Sequence, residues 1–408
     1  MPSSSPHDSL RRRYEMIRAE TEALARPLSP EDQSLQSMPD ASPTKWHLGH
    51  TSWFFERMLL QRDSAYRGFD ARFDAIFNSY YLGLGTPMLR AERGLLSRPS
   101  ARDVLEYRAH VDAAMQSVLD DPAVAGLIEL GLQHEQQHQE LLLTDIKHAF
   151  SRNPLLPAYA PPPPPHQHIA PPLRFIPHDG GRVAVGHAGE DFAFDNERPR
   201  HEILLSPFRI ASRLITNAEY ADFIQDGGYR RPEFWLSDGW ALAKSQGWQA
   251  PLYWQDDGMH FTLHGLRPRD PAEPVIHVSF YEAAAYAAWA GKRLATEFEW
   301  EAAVKDLPVT GQLLDRSVLH PRPARSAADR QFYGDAWEWT RSSYDPYPGF
   351  RSFGGAASEY NGKFMVGQLV LRGGSCATPP GHIRASYRNF FPPAARWQFS
   401  GIRMAEDA

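Results

Sequence analysis

A run of proline interrupts the chain at YAPPPPPHQHIAPP, Tyr159 to Pro172. Proline fixes φ and has no N–H to donate, so this stretch suits neither a helix nor a central strand and favours an extended polyproline path. It divides 408 residues into two parts, each long enough to bury a core of its own.

The texture differs on the two sides. Before the run, LRRRYEMIRAETEALA, WHLGHTSWFFERMLL, VLEYRAHVDAAMQSVL and the segment around HEQQH place apolar residues near every third or fourth position. That spacing predicts four amphipathic helices, and hence a four-helix bundle over residues 8–152. Residues 153–172 are expected to be a linker. After it come short alternating segments such as GGRVAVGH and HEILLSPFRIAS, with many Gly and Pro and most of the tryptophans, which predict an irregular α+β domain over residues 173–406. Its helices announce themselves by capping boxes: Thr216 with Glu219, Ser279 with Glu282, and Thr296 with Glu299.

HEQQHQE, His134 to Glu140, carries chemistry. Two histidines four apart on a helix project from one face about 6 Å apart, a gap that one metal ion bridges. A third ligand has to come from another helix, and WHLGH offers both His47 and His50; spacing alone does not choose between them. Cys376 is the sole cysteine, so a disulfide, a Cys-rich zinc site and a dithiol centre are all excluded. Three neutral imidazoles leave open positions, as N/O facial sites for Fe(II) do, and they also suit catalytic zinc. In a zinc peptidase Glu135 would be the general base, but the extended HExxHxxGxxH pattern is absent.

A net charge of −6 offers no broad basic surface for nucleic acid, and no apolar run approaches the ~20 residues that span a bilayer. MPSSSPHDSLRRR has no apolar stretch behind it, so a cytoplasmic protein acting on small molecules is expected.

Taken together, SPTKWHLGHTSWFFE, FNSYYLGLG, RGLLSRP, ELGLQHEQQHQELLLTDIKH, GDAWEWTRSSYDPYPGFR and LRGGSCATPPGHIRASYRNFFPPAARWQFSGIR resemble the sulfoxide synthases of ergothioneine biosynthesis. That family joins a DinB-like bundle to a domain of the formylglycine-generating-enzyme, C-type-lectin-like fold. The resemblance implies a non-haem Fe(II) enzyme that uses O2 to couple a sulfur to imidazole C2 of trimethylhistidine (hercynine). It implies His50, His134 and His138 as iron ligands, with His47 structural and Glu135 structural or supporting a ligand.

By the same resemblance, Tyr80 and Tyr81 of NSYY match active-site tyrosines. A phenol there would donate a proton and steer oxidation toward C–S coupling. Asn389 and Phe390 match the region near substrate. A trimethylammonium head cannot donate a hydrogen bond and is bound by aromatic faces, which Tyr387, Phe390, Phe391 and Trp397 supply.

The loop after NSYY departs from the family pattern YYxAVGPRHPRxxRG, because this chain has YYLGLGTPMLRAERG, with Pro87-Met88 where an Arg-His pair is usual. Arg90 and Arg93 still match the later arginines, and Arg90 is carried over as a carboxylate contact to the second substrate. Fewer polar groups in this loop suit a less charged partner than cysteine or γ-glutamylcysteine. The selenoneine synthases, which resemble this family and couple a selenosugar to trimethylhistidine, fit equally well. Two other classes compete: a zinc-dependent hydrolase or thiol transferase on a DinB-like bundle, and a carbohydrate-binding module, which leaves the histidines unexplained.

Overall fold

The computed structural model describes residues 6–163, 169–326 and 330–408, so part of the proline run, Pro164 to His168, lies outside the described residues. The chain forms two compact units. One consists of the residues up to Tyr159 together with Glu190–Phe192 and Phe353–Glu359; the other holds the rest.

The first unit is helical, built on α1 (Pro6–Ala25), α2 (Thr44–Met58), the short α3 (Phe73–Phe77), α4 (Ala101–Met115) and α5 (Ala125–Ser151). Four of these are the helices expected from the apolar spacing. The stretch between α2 and α4 is a chain of short helical turns that the spacing did not reveal. Helix α4 starts with a capping box in which Asp103 takes the place usually held by Glu or Gln. Leu24, Phe54, Phe55, Val111, Leu132 and Leu142 are fully buried between the helices.

Helix α5 also buries polar groups. Glu135 is fully enclosed and accepts from Arg108 Nη2 at 2.5 Å, Thr21 Oγ1 at 2.6 Å and Arg18 Nη1 at 3.0 Å. The two guanidiniums go on to donate to α2: Arg18 reaches Ser52 Oγ at 2.9 Å and Arg108 reaches Thr51 Oγ1 at 3.2 Å. Burial works against the charged carboxylate, but Arg108 and Arg18 more than offset it and hold its pKa at about 2. A carboxylate so engaged is a structural tie between helices, which removes the peptidase role from Glu135.

The second unit carries two four-stranded sheets. In one, Phe175–His178, Phe208–Ala211, Met404–Asp407 and Arg293–Leu294 lie side by side in that order. In the other the order is Asn389–Phe391, Leu369–Arg372, Trp337–Ser343, Ser400–Gly401. Around them lie α6 (Asn217–Gln225), α7 (Ser237–Gln246), α8 (Phe280–Trp289) and α9 (Glu297–Val304). Three of these open with the expected capping boxes, all formed on both sides. Helix α7 has no side-chain cap, and its start left no trace in the sequence.

WEWT and the first two residues of LRGGS lie in the two central strands of the second sheet. Glu338 accepts from Arg403 and Trp300, while Arg372 donates to Glu297 at 2.8 Å and Glu301 at 3.1 Å. Arg388 also grips Glu297, through Nε at 2.8 Å. Gly373, at φ 96°, sits with its Cα so close to the Phe332 carbonyl that a Cβ would come within 2.5 Å of it.

Burial raises the Glu297 carboxyl, but Arg388 and Arg372 outweigh it and leave its pKa below the usual 4.5. The stability this group contributes is therefore fully present above the unfolded value and lost as pH falls below it. Glu297→Gln is expected to destabilise the protein by about 3–5 kcal/mol, because buried Arg388 loses its carboxylate partner and Arg372 keeps only Glu301. Urea unfolding at pH 7 and pH 4 should show the gap between wild type and variant shrinking at the lower pH.

Candidate metal centre

His134 and His138 project from α5 toward His50 of α2. One ligand atom from each of the three lies within 4.8 Å of the others. His50 Nε2 and His134 Nε2 are 3.1 Å apart. Two nitrogens bound at ~2.1 Å to one ion, at octahedral or tetrahedral angles, stand about 3.0–3.4 Å apart. The spacing is that of donors around a shared ion.

His50 and His134 are buried, and His138 is partly open. Burial pushes the pKa of all three imidazoles down; repulsion from other triad members adds to this at His50 and His138, while at His134 burial outweighs the pull of Glu135 and lowers the pKa to about 3. Neutral rings present the lone pair that a metal needs.

Two of the three rings are held from behind. His50 Nδ1 meets the Phe77 carbonyl oxygen at 2.6 Å, which makes Nδ1 the protonated nitrogen and turns Nε2 toward the cluster. The His50 ring stacks between its neighbours Trp46, at 4.5 Å, and Trp53, at 5.8 Å. His138 Nδ1 lies 2.8 Å from His47 Nδ1, and His47 Nε2 lies 3.1 Å from Asp145 Oδ2. WHLGH thus supplies two roles: His50 joins the triad and His47 orients a triad member, steadied in turn by Asp145.

Phe77 reaches His50 only because residue 49 is glycine. A Cβ there would fall 2.2 Å from the Phe77 ring. Beyond Phe77, Asn78 closes a turn by accepting from Tyr81 N at 3.1 Å and donating to Tyr81 O at 3.0 Å. Tyr81 is fully buried, with its ring 4.7 Å from that of half-buried Tyr80 and 5.7 Å from Trp53, so it connects to His50 through one indole.

The two arginines of the following loop part company. Arg90 is exposed. Arg93 is buried, lies 3.4 Å over the Trp46 ring and donates to Ser42 and Ser79, which makes it part of the wall behind the histidines.

In the second unit the aromatic cluster divides too. Tyr387 is enclosed, packed on Trp337 and Phe194, with its hydroxyl 3.0 Å from His382 Nε2. Asn389, Phe390, Phe391 and Trp397 are half-buried. Phe390 stacks on Tyr344 at 4.0 Å, and Phe391 meets Trp397 edge-on at 6.2 Å.

The first unit is of the DinB superfamily, whose family model matches residues 13–142; the Sulfatase-modifying factor enzyme 1-like domain matches residues 165–313 and 326–408. Hercynine oxygenase of Mycolicibacterium smegmatis is 34% identical over 411 residues, covering 91% of this chain and 92% of that protein. The protein of that name from Mycolicibacterium thermoresistibile is 34% identical over 402 residues, covering 90% of this chain and 88% of its own. Ergothioneine biosynthesis protein 1 of Schizosaccharomyces pombe is 29% identical over 232 residues, 53% of this chain and 28% of that protein. The chain belongs to the hercynine oxygenase family and is an oxidative enzyme.

The triad and its support make separate predictions. His50→Ala removes one of the three candidate ligands and is expected to abolish tight metal binding at this centre. Asp145→Asn leaves all three ligands but frees His47, and should weaken binding about 10–100-fold. Anaerobic titration with Fe(II), with circular dichroism to confirm an intact helical unit, measures both.

Proposed function

We propose that this enzyme is a non-haem Fe(II), O2-dependent synthase that forms a carbon–chalcogen bond at imidazole C2 of trimethylhistidine. The observation that carries the reading is the buried cluster of three neutral histidines with donor atoms at one-ion spacing, in a chain whose relatives are named for hercynine oxygenation. His50, His134 and His138 would hold the iron. When bound, it supplies activation of O2 at positions the protein leaves open.

The chain's own residues then have defined tasks. Phe77 and His47 fix the ligand rings. Tyr81, held by Asn78 and backed by Trp53, would donate the phenolic proton during oxidation, with Tyr80 stacked beside it. The half-buried Phe390, Phe391 and Trp397 are the faces best suited to a trimethylammonium group, with Asn389 as polar partner; enclosed Tyr387 supports them from within. For a thiol co-substrate the reaction balances as loss of C–H and S–H, with one oxygen atom going to the sulfoxide and one to water.

The co-substrate is a cysteine-type thiol or a selenosugar. The Pro87-Met88 loop and the exposure of Arg90, the one loop arginine left for a carboxylate, favour the selenosugar; the kinship with hercynine oxygenases favours the thiol.

The test loads apo-protein with Fe(II) anaerobically, adds trimethylhistidine and O2, and supplies cysteine, γ-glutamylcysteine or a selenosugar in separate reactions read by mass spectrometry. A C2 adduct with one of them is expected, and no adduct with any, despite bound iron, would overturn the reading. Tyr81→Phe should lower adduct formation about 100-fold or more and shift product toward oxidised co-substrate alone, the signature of a lost proton donor.

A further inference from the structure

The second unit holds another set of donors. His260, on the strand Met259–Thr262, Glu273, in the loop ahead of α8, and His320 each place a ligand atom within 4.8 Å of the other two. All three are more than nine-tenths buried. They share the wall of one cavity of about 420 Å3, lined also by Arg267, Arg269 and Arg322. We propose that His260, Glu273 and His320 form a second metal site, for a divalent first-row transition ion such as zinc, independent of the histidine triad in the helical unit.

Three observations support it. His320 Nε2 and Glu273 Oε2 are 3.0 Å apart, the separation of two adjacent donors bound at ~2.1 Å to one ion. That contact uses one nitrogen of the His320 ring; the other, Nδ1, is buried with no hydrogen-bond partner among the described residues, so a closed polar network does not account for the ring. The His260 and His320 rings meet edge to face, 5.3 Å apart at 88°, so the two imidazoles adjoin without stacking.

The donor set also selects the ion. Two imidazoles and one carboxylate suit zinc and its neighbours, while Ca2+ and Mg2+ take oxygen donors. Arg267, Arg269 and Arg322 outnumber Asp270 and Glu273 in the cavity lining, which disfavours a cation held by charge alone and puts the weight on coordinate bonds. Three protein ligands facing a cavity give an open coordination position, which distinguishes this arrangement from a closed structural site.

The full-length apo-protein would be titrated with Zn2+, and with Co2+ followed by visible absorption. Wild type is expected to bind two equivalents. His50→Ala, Glu273→Gln and His320→Ala should each bind one, and His50→Ala combined with Glu273→Gln none. Glu273→Gln keeps the side chain's size and one oxygen, so it guards against a fold lost in His320→Ala; thermal unfolding checks each variant. One equivalent in wild type, or two retained in a folded Glu273→Gln, would overturn the second site. Neither result bears on the proposed coupling reaction, which fails on its own assay.

Discussion

The helical unit turns on one buried carboxylate. Glu135 collects Arg18 from α1 and Arg108 from α4, and both guanidiniums reach on to Ser52 and Thr51 of α2. Four helices are thereby tied at one level. The consequence for the site is rotational. Successive residues on a helix point about 100° apart, so once Glu135 is committed to the arginines, the directions of His134 and His138 are no longer free. They face α2 at the height where His50 waits, with Gly49 admitting Phe77 beside it. The ion network thus aims the histidines without touching them.

Much of this was legible in the sequence where a period or a cap expressed it. The 3.6-residue spacing gave the four long helices, three Ser/Thr–Glu pairs gave α6, α8 and α9, and the four-residue step gave His134 and His138. Ser100 with Asp103 is the same cap with a shorter acid, and a broader rule would have found α4's start. The short turns between α2 and α4 have no period to read. Spacing left His50 and His47 equal and the family resemblance chose His50; in the fold His50 stands with His134 and His138 while His47 lies behind His138.

Asp145 was within reach of the sequence: it stands seven residues after His138, two turns on along the same face, where an acid able to steady a histidine is worth seeking. His260, Glu273 and His320 were not. They sit 13 and 47 positions apart in strand and loop segments, and only folding brings them together.

The surroundings of His50 and the loop that follows the tyrosines are built in different ways. On one side Gly49 meets an aromatic ring with no room for a methyl group, and Trp46 is wedged between His50 and Arg93, so every dimension there is set by backbone and ring contacts. On the other, the loop beginning at Leu82 exposes Leu82, Leu89, Arg90 and Leu95 to solvent. Exposed loop positions can therefore be rewritten at little structural risk, while a change at Gly49 or Trp46 has to move a ring beside the candidate metal centre. The unusual Pro87-Met88 step lies in the part of the molecule where such rewriting is cheapest.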